Sequence, residues 1–487
     1  LRDALEHANV PTLLMVYVHL SRDESMLDRF APHIRPAFSA TPTQIPDRFA
    51  DELRAKLLET LTQAGAVDET PLPAALMRKM MSVGVGEPVD EEFVPLLLDQ
   101  MGLALPAPRR ERAERKMPPE SFKVLVIGAG LSGLAAGIKL AEAGYDFVIV
   151  EKNADVGGTW HENVYPGVGV DTPSHFYSYS FAINPEWSHY YPKGSEMKEY
   201  FVRVAERFDL YRHIEFETKV LGCVWDETRK LWHVSVRRKD GAEETIAANA
   251  VFNCHGPVNR WSWPKIQGIE AFEGPRMHTA GWDPEVNLTG KKVAVIGTGA
   301  SSAQLVPAIA PIAEHLTVFM RSKHWVINNP EIGSIVPPGK KWALRHIPHY
   351  REWFRFRVYW AAGDGLYPNV VKTPGWNEEH SVSPQNEAAR QWALGYMRTK
   401  FADRPDLIEK LTPDFPIFSK RIILDPGWFD ALKRSNVTLE DKPIAEILPH
   451  WIRMEDGREY EVDVLACATG FDVRKMLGSL EVCFGME

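Results

Sequence analysis

The chain has 487 residues, 45% apolar and 25% charged, with 56 basic against 65 acidic side chains and a net charge of −9. These proportions are globular and argue against a disordered, collagen-like or low-complexity chain, and at about 150 residues per domain the length suggests roughly three domains. The acidic balance disfavours nucleic-acid binding, no apolar run approaches the ~20 residues of a membrane helix, and four cysteines without CxxC spacing argue against a disulfide framework or a zinc ribbon.

Residues 1–104 read as an all-helical domain. Phe49, Leu53, Leu57 and Leu61 recur every four residues, Pro46 and Asp47 stand where a helix would start, and Gly65 offers a C-cap. Further helical stretches are Ala74–Met81 and Glu91–Met101. No catalytic constellation stands here, so packing or homodimer formation is the expected role. Residues 105–120 carry two proline clusters and a charge run, and read as a linker.

From Phe122 the texture changes to strand-like runs alternating with helical segments: Val124–Ile127, Phe147–Val150, Val293–Ile296, Leu316–Phe319 and Val462–Ala466. That pattern predicts an α/β fold with parallel strands. Residues 327–419 break it with a crowd of aromatic residues (Trp342, Tyr350, Trp353, Phe354, Phe356, Tyr359) and predict a helical insertion.

A strand–glycine-loop–helix unit occurs twice. The first runs through Gly128, Gly130 and Gly133, followed by a helix to Ala143, a strand to Val150 and then Glu151. Gly128 permits the tight turn, Gly130 lets backbone approach a pyrophosphate, and Gly133 lets the helix pack on the strand. Glu151 stands where a carboxylate accepts hydrogen bonds from ribose hydroxyls. The second unit has Gly297, Gly299 and Ser302, and its following strand ends at Arg321. A guanidinium at that place pairs with a 2′-phosphate, which a carboxylate would repel. Two Rossmann-like dinucleotide-binding domains therefore imply transfer of electrons from NADPH at the second to FAD at the first. Disulfide reductases share the layout but need a paired-cysteine motif after the first unit, and none is present.

Two longer patterns narrow the class. Phe272, Gly274, His278, Trp282 and Asp283 fit FxGxxxHxxxW followed by P or D, just ahead of the second glycine loop. Gly158, Thr159 and Trp160 are followed by Tyr165-Pro166-Gly167 and then by Asp171. Together these resemble the flavin-dependent (type I) Baeyer–Villiger monooxygenases, and the likeness covers nearly the whole chain. Relatives that oxygenate amines and sulfides end the first pattern in Tyr or Phe. The helical region ahead of the first loop resembles the aryl-ketone branch typified by 4-hydroxyacetophenone monooxygenase.

The resemblance implies FAD and NADPH as cofactors, a small-molecule ketone and O₂ as substrates, ester products formed through a flavin C4a-peroxide, no metal, and a cytoplasmic homodimer. It implies that Arg421 is the active-site arginine, keeping that peroxide anionic and paired with Asp171, which lies beside both cofactors. Thr159, Trp160, Tyr177, Val220 and Thr469 join the cofactor contacts, and Ser322 and Lys420 join Arg321 at the coenzyme phosphate. His278 and Trp282 are expected to position the second domain. An N- or S-oxygenating flavin monooxygenase, or a nucleotide-binding protein without turnover, are the alternatives. The implied division is FAD domain 121–260 and 446–487, NADP domain 261–326 and 420–445, with the insertion 327–419 between. Family members continue well past the place of Asp472, so the flavin domain is expected to be incomplete. One departure is Cys254-His255-Gly256, where such proteins often have Ala-Thr-Gly.

Overall fold

The computed structural model describes residues 1–36, 45–63, 70–103, 118–473 and 480–484. Gly65 and nearly all of the expected linker lie outside the described residues.

Two parallel sheets carry the two glycine loops. In the first, the strand order is Ile214–Glu215, Asp146–Val150, Lys123–Ile127, Ala250–Asn253. Its two central strands are apolar and buried, because helices cover one face of the sheet and an antiparallel sheet covers the other. Beside it lies an antiparallel sheet, Thr218–Asp226, Leu231–Arg238 and Glu243–Ala248, whose free edge is joined in parallel by Glu481–Phe484. In the second parallel sheet the order is Val437–Glu440, His315–Phe319, Lys292–Ile296, Val464–Cys467, Arg276–His278.

This last sheet corrects one expected boundary. Residues from 446 onward were expected in the FAD domain, yet Val464–Cys467 pairs with Lys292–Ile296 in the second sheet. The meander Ile444–Ile447, Trp451–Met454, Glu459–Glu461 leads directly into that strand. Its buried Ile447, Ile452 and Met454 pack on Ala294, Ile296 and Leu465 of the second sheet. Among the described residues, the chain adds a strand to the antiparallel sheet of the first unit at Glu481–Phe484.

The N-terminal helices are Arg2–His7, Val10–Ser21, Ser25–Phe30, Asp47–Gln63, Ala74–Val85 and Val94–Met101. Val10 to His19 is buried all round, the mark of a central core helix rather than a surface one. Its start is capped by the Asn9 carboxamide oxygen, which accepts from the Thr12 amide at 3.0 Å. Helix Asp47–Gln63 turns Ala50, Leu53 and Leu57 inward, with Phe49 and Leu61 packed alongside. The same core continues into the insertion, through Ala343, Leu344, Tyr350, Trp353, Phe354 and Phe356. The aromatic crowd is therefore explained largely by helix Tyr350–Ala362, which lies against Val10–Ser21. Among the described residues no helix is long and apolar enough to cross a membrane.

Candidate active site

At the first glycine loop the backbone leaves no room for side chains. Gly128 has φ 97°, in the left-handed region that favours glycine. A Cβ on Gly133 would stand 1.7 Å from the Gly128 carbonyl oxygen. A Cβ on Gly158 would stand 3.0 Å from the Gly130 Cα, so these two glycines face each other across the mouth of helix Leu131–Ala143. Glu151 is buried, and its carboxylate accepts from the amides of Ala129 (2.7 Å) and Asn153 (2.8 Å). It thus braces the loop as well as presenting negative charge beside it. A side-chain-free cradle, a helix N-terminus and a buried carboxylate fit the pyrophosphate and ribose of FAD.

Around this cradle stand the other residues expected at the flavin. Thr159 opens the short helix Thr159–Glu162, and Trp160 Nε1 donates to the Tyr177 hydroxyl at 3.3 Å. Val220 is two residues into the strand that starts at Thr218, whose amide donates to the Glu151 carbonyl, and its side chain packs into the core between the sheets. Thr469 lies instead beside the second loop. It follows Ala468, whose carbonyl oxygen would be 2.5 Å from a Cβ on Gly297.

The second loop is more open. Gly297 has φ 111°, and among the described residues nothing beyond its own chain neighbours and helix crowds a Cβ built on Gly299. Ser302 is fully buried and its hydroxyl has no partner among the described residues. The Thr298 hydroxyl donates to the Ser322 carbonyl at 2.9 Å, fixing the turn that bears Arg321. Arg321 is exposed, and no acid pairs with it among the described residues. Lys420 is exposed with its ammonium 4.4 Å from the Phe415 ring centre. Lys420 stands three residues before the strand Ile423–Leu424, which pairs with Val326–Ile327 shortly after the Arg321 turn. Two cations beside an open glycine loop fit the 2′-phosphate of NADPH.

Between the loops, the Arg421 guanidinium donates to the Asp171 carboxylate. The arginine side chain is 71% exposed and the aspartate 24%. The loop that carries Asp171 is fastened to the second glycine helix, Ala300–Ile309, by Gln304. Gln304 Oε1 accepts from the Tyr165 hydroxyl (2.7 Å) and the Gly169 amide (3.3 Å), and Nε2 donates to the Gly169 carbonyl (2.9 Å). A Cβ on Gly167 would stand 2.3 Å from the Gln304 carbonyl oxygen, so the loop approaches that helix as closely as backbone allows. Sequence reasoning missed Gln304. Its only signal is an amide side chain between Ala303 and Leu305, both buried, in a helix that faces the coenzyme loop.

The expected fingerprint residues do not meet Asp171 or Arg421 in any hydrogen bond or ion pair among the described residues. Phe272 is in the core under the second sheet, and a Cβ on Gly274 would stand 2.3 Å from the Asp463 carbonyl oxygen. Trp282 is buried on the other face of that sheet, and Asp283 accepts from the Glu285 amide at 3.0 Å. His278 is fully buried, stacked on Trp261 with ring centres 4.7 Å apart, and its Nδ1 accepts from the Ala280 amide. Burial pulls its pKa down to about 4, against a smaller opposing pull from the Gly470 backbone, so the ring is neutral at neutral pH.

Comparison with known proteins gives the same picture. The Flavin-binding monooxygenase-like (FMO-like) family pattern matches residues 121–334. The chain is 36% identical over 491 residues to a protein of Sinorhizobium fredii named "Uncharacterized monooxygenase y4iD", covering 99% of this chain and 72% of that one. It is 35% identical over 365 residues to a Baeyer–Villiger monooxygenase of Streptomyces coelicolor, covering 75% of this chain and 67% of that one. Among solved structures, OTEMO in complex with FAD and NADP superposes with a TM-score of 0.62 at 28% identity, over 75% of this chain and 74% of that one. The chain spans from 57% to 72% of the length of curated relatives that it matches.

Proposed function

The chain belongs to the flavin-binding monooxygenase family, and on that premise we propose that it is a Baeyer–Villiger monooxygenase of the aryl-ketone branch typified by 4-hydroxyacetophenone monooxygenase, converting aryl ketones to esters. FAD and NADPH are its cofactors. Gly128, Gly130, Gly133 and Glu151 hold the first, and Gly297, Gly299, Ser302, Arg321 and Lys420 hold the second. Bound FAD supplies the acceptor for the nicotinamide hydride and the centre at which O₂ is activated.

The observation that carries the reading is the Asp171–Arg421 pair on a loop clamped to the coenzyme helix. A guanidinium is permanently charged and gives up no proton, so Arg421 stabilises negative charge developing on oxygen during attack on a carbonyl. Asp171 orients that guanidinium and offsets part of its charge. Glu151 holds the first loop in place, and Ser322 holds the turn that presents Arg321. The aryl-ketone branch rests on the resemblance of the helices ahead of the first loop to that branch; the likeness to the Sinorhizobium monooxygenase also runs through these helices. The reading includes a cytoplasmic homodimer; sedimentation of the full chain checks the dimer, and fractionation of the cell checks the location.

The test supplies an aryl ketone and an aryl thioether with NADPH and measures ester, sulfoxide, NADPH and hydrogen peroxide together. Ester from the ketone is expected. Arg421→Ala should lower ester formation by about 10²–10³, as for loss of one preorganised stabiliser of a developing anion, while slow NADPH use continues and ends in hydrogen peroxide. Sulfoxide as the sole product, or ester at wild-type coupling from Arg421→Ala, contradicts the reading.

A further inference from the structure

We propose that Arg355 is a positioning residue for the flavin pocket, fixing the turn that carries Tyr177 and so making that pocket depend on the N-terminal helices. The proposal rests on the reading of the first glycine loop as the FAD site.

Arg355 is 3% exposed, on helix Tyr350–Ala362. Its Nε donates to the Gln100 carbonyl (3.1 Å), at the end of the N-terminal helix Val94–Met101. Its other nitrogens all reach one turn. Nη1 donates to the carbonyls of His175 (2.8 Å) and Phe176 (3.2 Å) and to the Ser178 hydroxyl (3.1 Å). Nη2 donates to the Ser178 carbonyl (3.0 Å). No carboxylate pairs with this guanidinium among the described residues. Burial lowers its pKa to about 10, with the Tyr200 and Tyr359 hydroxyls pulling the other way, so it stays charged at neutral pH. A buried charge is costly unless its donors are met. Here five contacts engage all three nitrogens, and four of the five lie on residues 175–178. An apolar side chain would fill the same volume without that cost, so the fork is spent on holding the turn.

The far side of the turn faces the first glycine loop. Tyr177 accepts from Trp160, which follows the Gly158 that abuts Gly130. The Tyr179 hydroxyl donates to the carbonyl of Leu131, the first residue of the glycine helix. On the near side the same helix adds two edge-on ring contacts, Phe354 with His175 (5.1 Å) and Tyr359 with Phe176 (5.2 Å). A continuous path of contacts thus runs from the N-terminal core through Arg355 and the turn to the cofactor cradle. Without the guanidinium, the His175 and Ser178 carbonyls lose their donors and the turn loses its fixed distance from helix Leu131–Ala143.

The experiment uses the full chain stripped of flavin, as wild type, Arg355→Met and Arg355→Lys. It measures FAD affinity by quenching of flavin fluorescence, NADP⁺ affinity, melting temperature and hydrogen exchange of amides 173–179. In Arg355→Met, FAD affinity should fall about tenfold or more, the scale of one lost charge-assisted anchor, and the 173–179 amides should exchange faster, with NADP⁺ affinity unchanged. Arg355→Lys keeps charge without the fork and should recover part of the FAD affinity; if the Met variant does not fold, an FAD affinity of Arg355→Lys a few-fold below wild type, with NADP⁺ unchanged, is the expected result. Wild-type FAD affinity in either variant overturns the proposal, as does a parallel loss of FAD and NADP⁺ affinity. A wild-type chain that takes up no FAD overturns the reading of the first loop, and the proposal with it.

Discussion

The two glycine units use one backbone device for two different tasks. Each strand ends in a glycine of positive φ, and each such glycine is backed by a carbonyl from a crossing segment, Cys254 in the first unit and Ala468 in the second. Both crossings then turn at a glycine, Gly256 at φ 73° and Gly470 at φ 79°. Cys254-His255-Gly256 therefore turns at its retained glycine as the second crossing does, although its first two residues are altered. The units differ at the third loop position and at the end of the second strand. In the first, the helix presses so close that only Gly133 fits, and the carboxylate of Glu151 is locked into the loop. In the second, the helix accommodates Ser302, the loop mouth is open, and the charge at the strand end belongs to an exposed Arg321. The closed unit suits a cofactor held through many turnovers, and the open one a coenzyme that exchanges.

Filling the closed unit should have the largest effect. Gly133→Ala places a methyl against the Gly128 carbonyl, so flavin content after purification should drop to near zero and stability should fall by on the order of 1–3 kcal/mol. Ser302→Gly at the matching place in the open unit should cost no more than about 1 kcal/mol, the helix penalty of glycine. Thermal melts and flavin absorbance of both variants break the comparison if the two behave alike.

The charge at the strand end comes next. Arg321→Ala removes a charge-assisted phosphate contact worth about 1.5–3 kcal/mol, so binding of NADPH should weaken while binding of NADH barely changes. Calorimetry with both coenzymes reads the difference, and equal losses for the two coenzymes would remove the distinction between the units.

Much of this was legible in the sequence: glycine loops and strand ends are local patterns with steric or electrostatic causes, whereas the Asp171 and Arg421 segments were found through their resemblance to a family pattern. The pairing of Asp171 with Arg421 was expected and is present. What could not be read was how distant segments meet. The strand Val464–Cys467 has the same apolar texture whichever parallel sheet receives it, so the boundary at 446 was misplaced. Gln304 looks like an ordinary helix residue until the Tyr165–Gly169 loop is seen against it. Arg355 sits in an aromatic crowd whose periodicity says helix but not partner, and its turn lies far away in sequence.

Smaller effects sharpen the link between the units. Gln304→Leu breaks the clamp on the Asp171 loop and should cost about 1–2 kcal/mol of stability. FAD and NADP⁺ should still bind separately, and hydride transfer between them should slow, which rapid-mixing spectroscopy detects.

The smallest effect concerns pH. The folded-state pKa of His278 lies at about 4 against an ordinary 6.5, because burial disfavours the charged ring. The unfolded chain therefore binds more protons between those values, so stability rises with pH across about 4 to 6.5 and falls on acidification. His19 and His175, also lowered by burial, act in the same direction. His278→Gln should flatten the slope of unfolding free energy against pH by up to one proton in that window. An unchanged slope would mean that His278 is not buried neutral between the crossings.

The central claim is that NADPH at the open unit reduces FAD held at the closed one. The most direct measurement mixes the FAD-loaded full chain with NADPH without oxygen and follows flavin absorbance, then admits air with an aryl ketone and assays ester. The account predicts bleaching by NADPH, much slower bleaching by NADH, and recovery of the oxidised spectrum in air with ester formed. Flavin that NADPH does not bleach, or that NADH bleaches equally well, contradicts it.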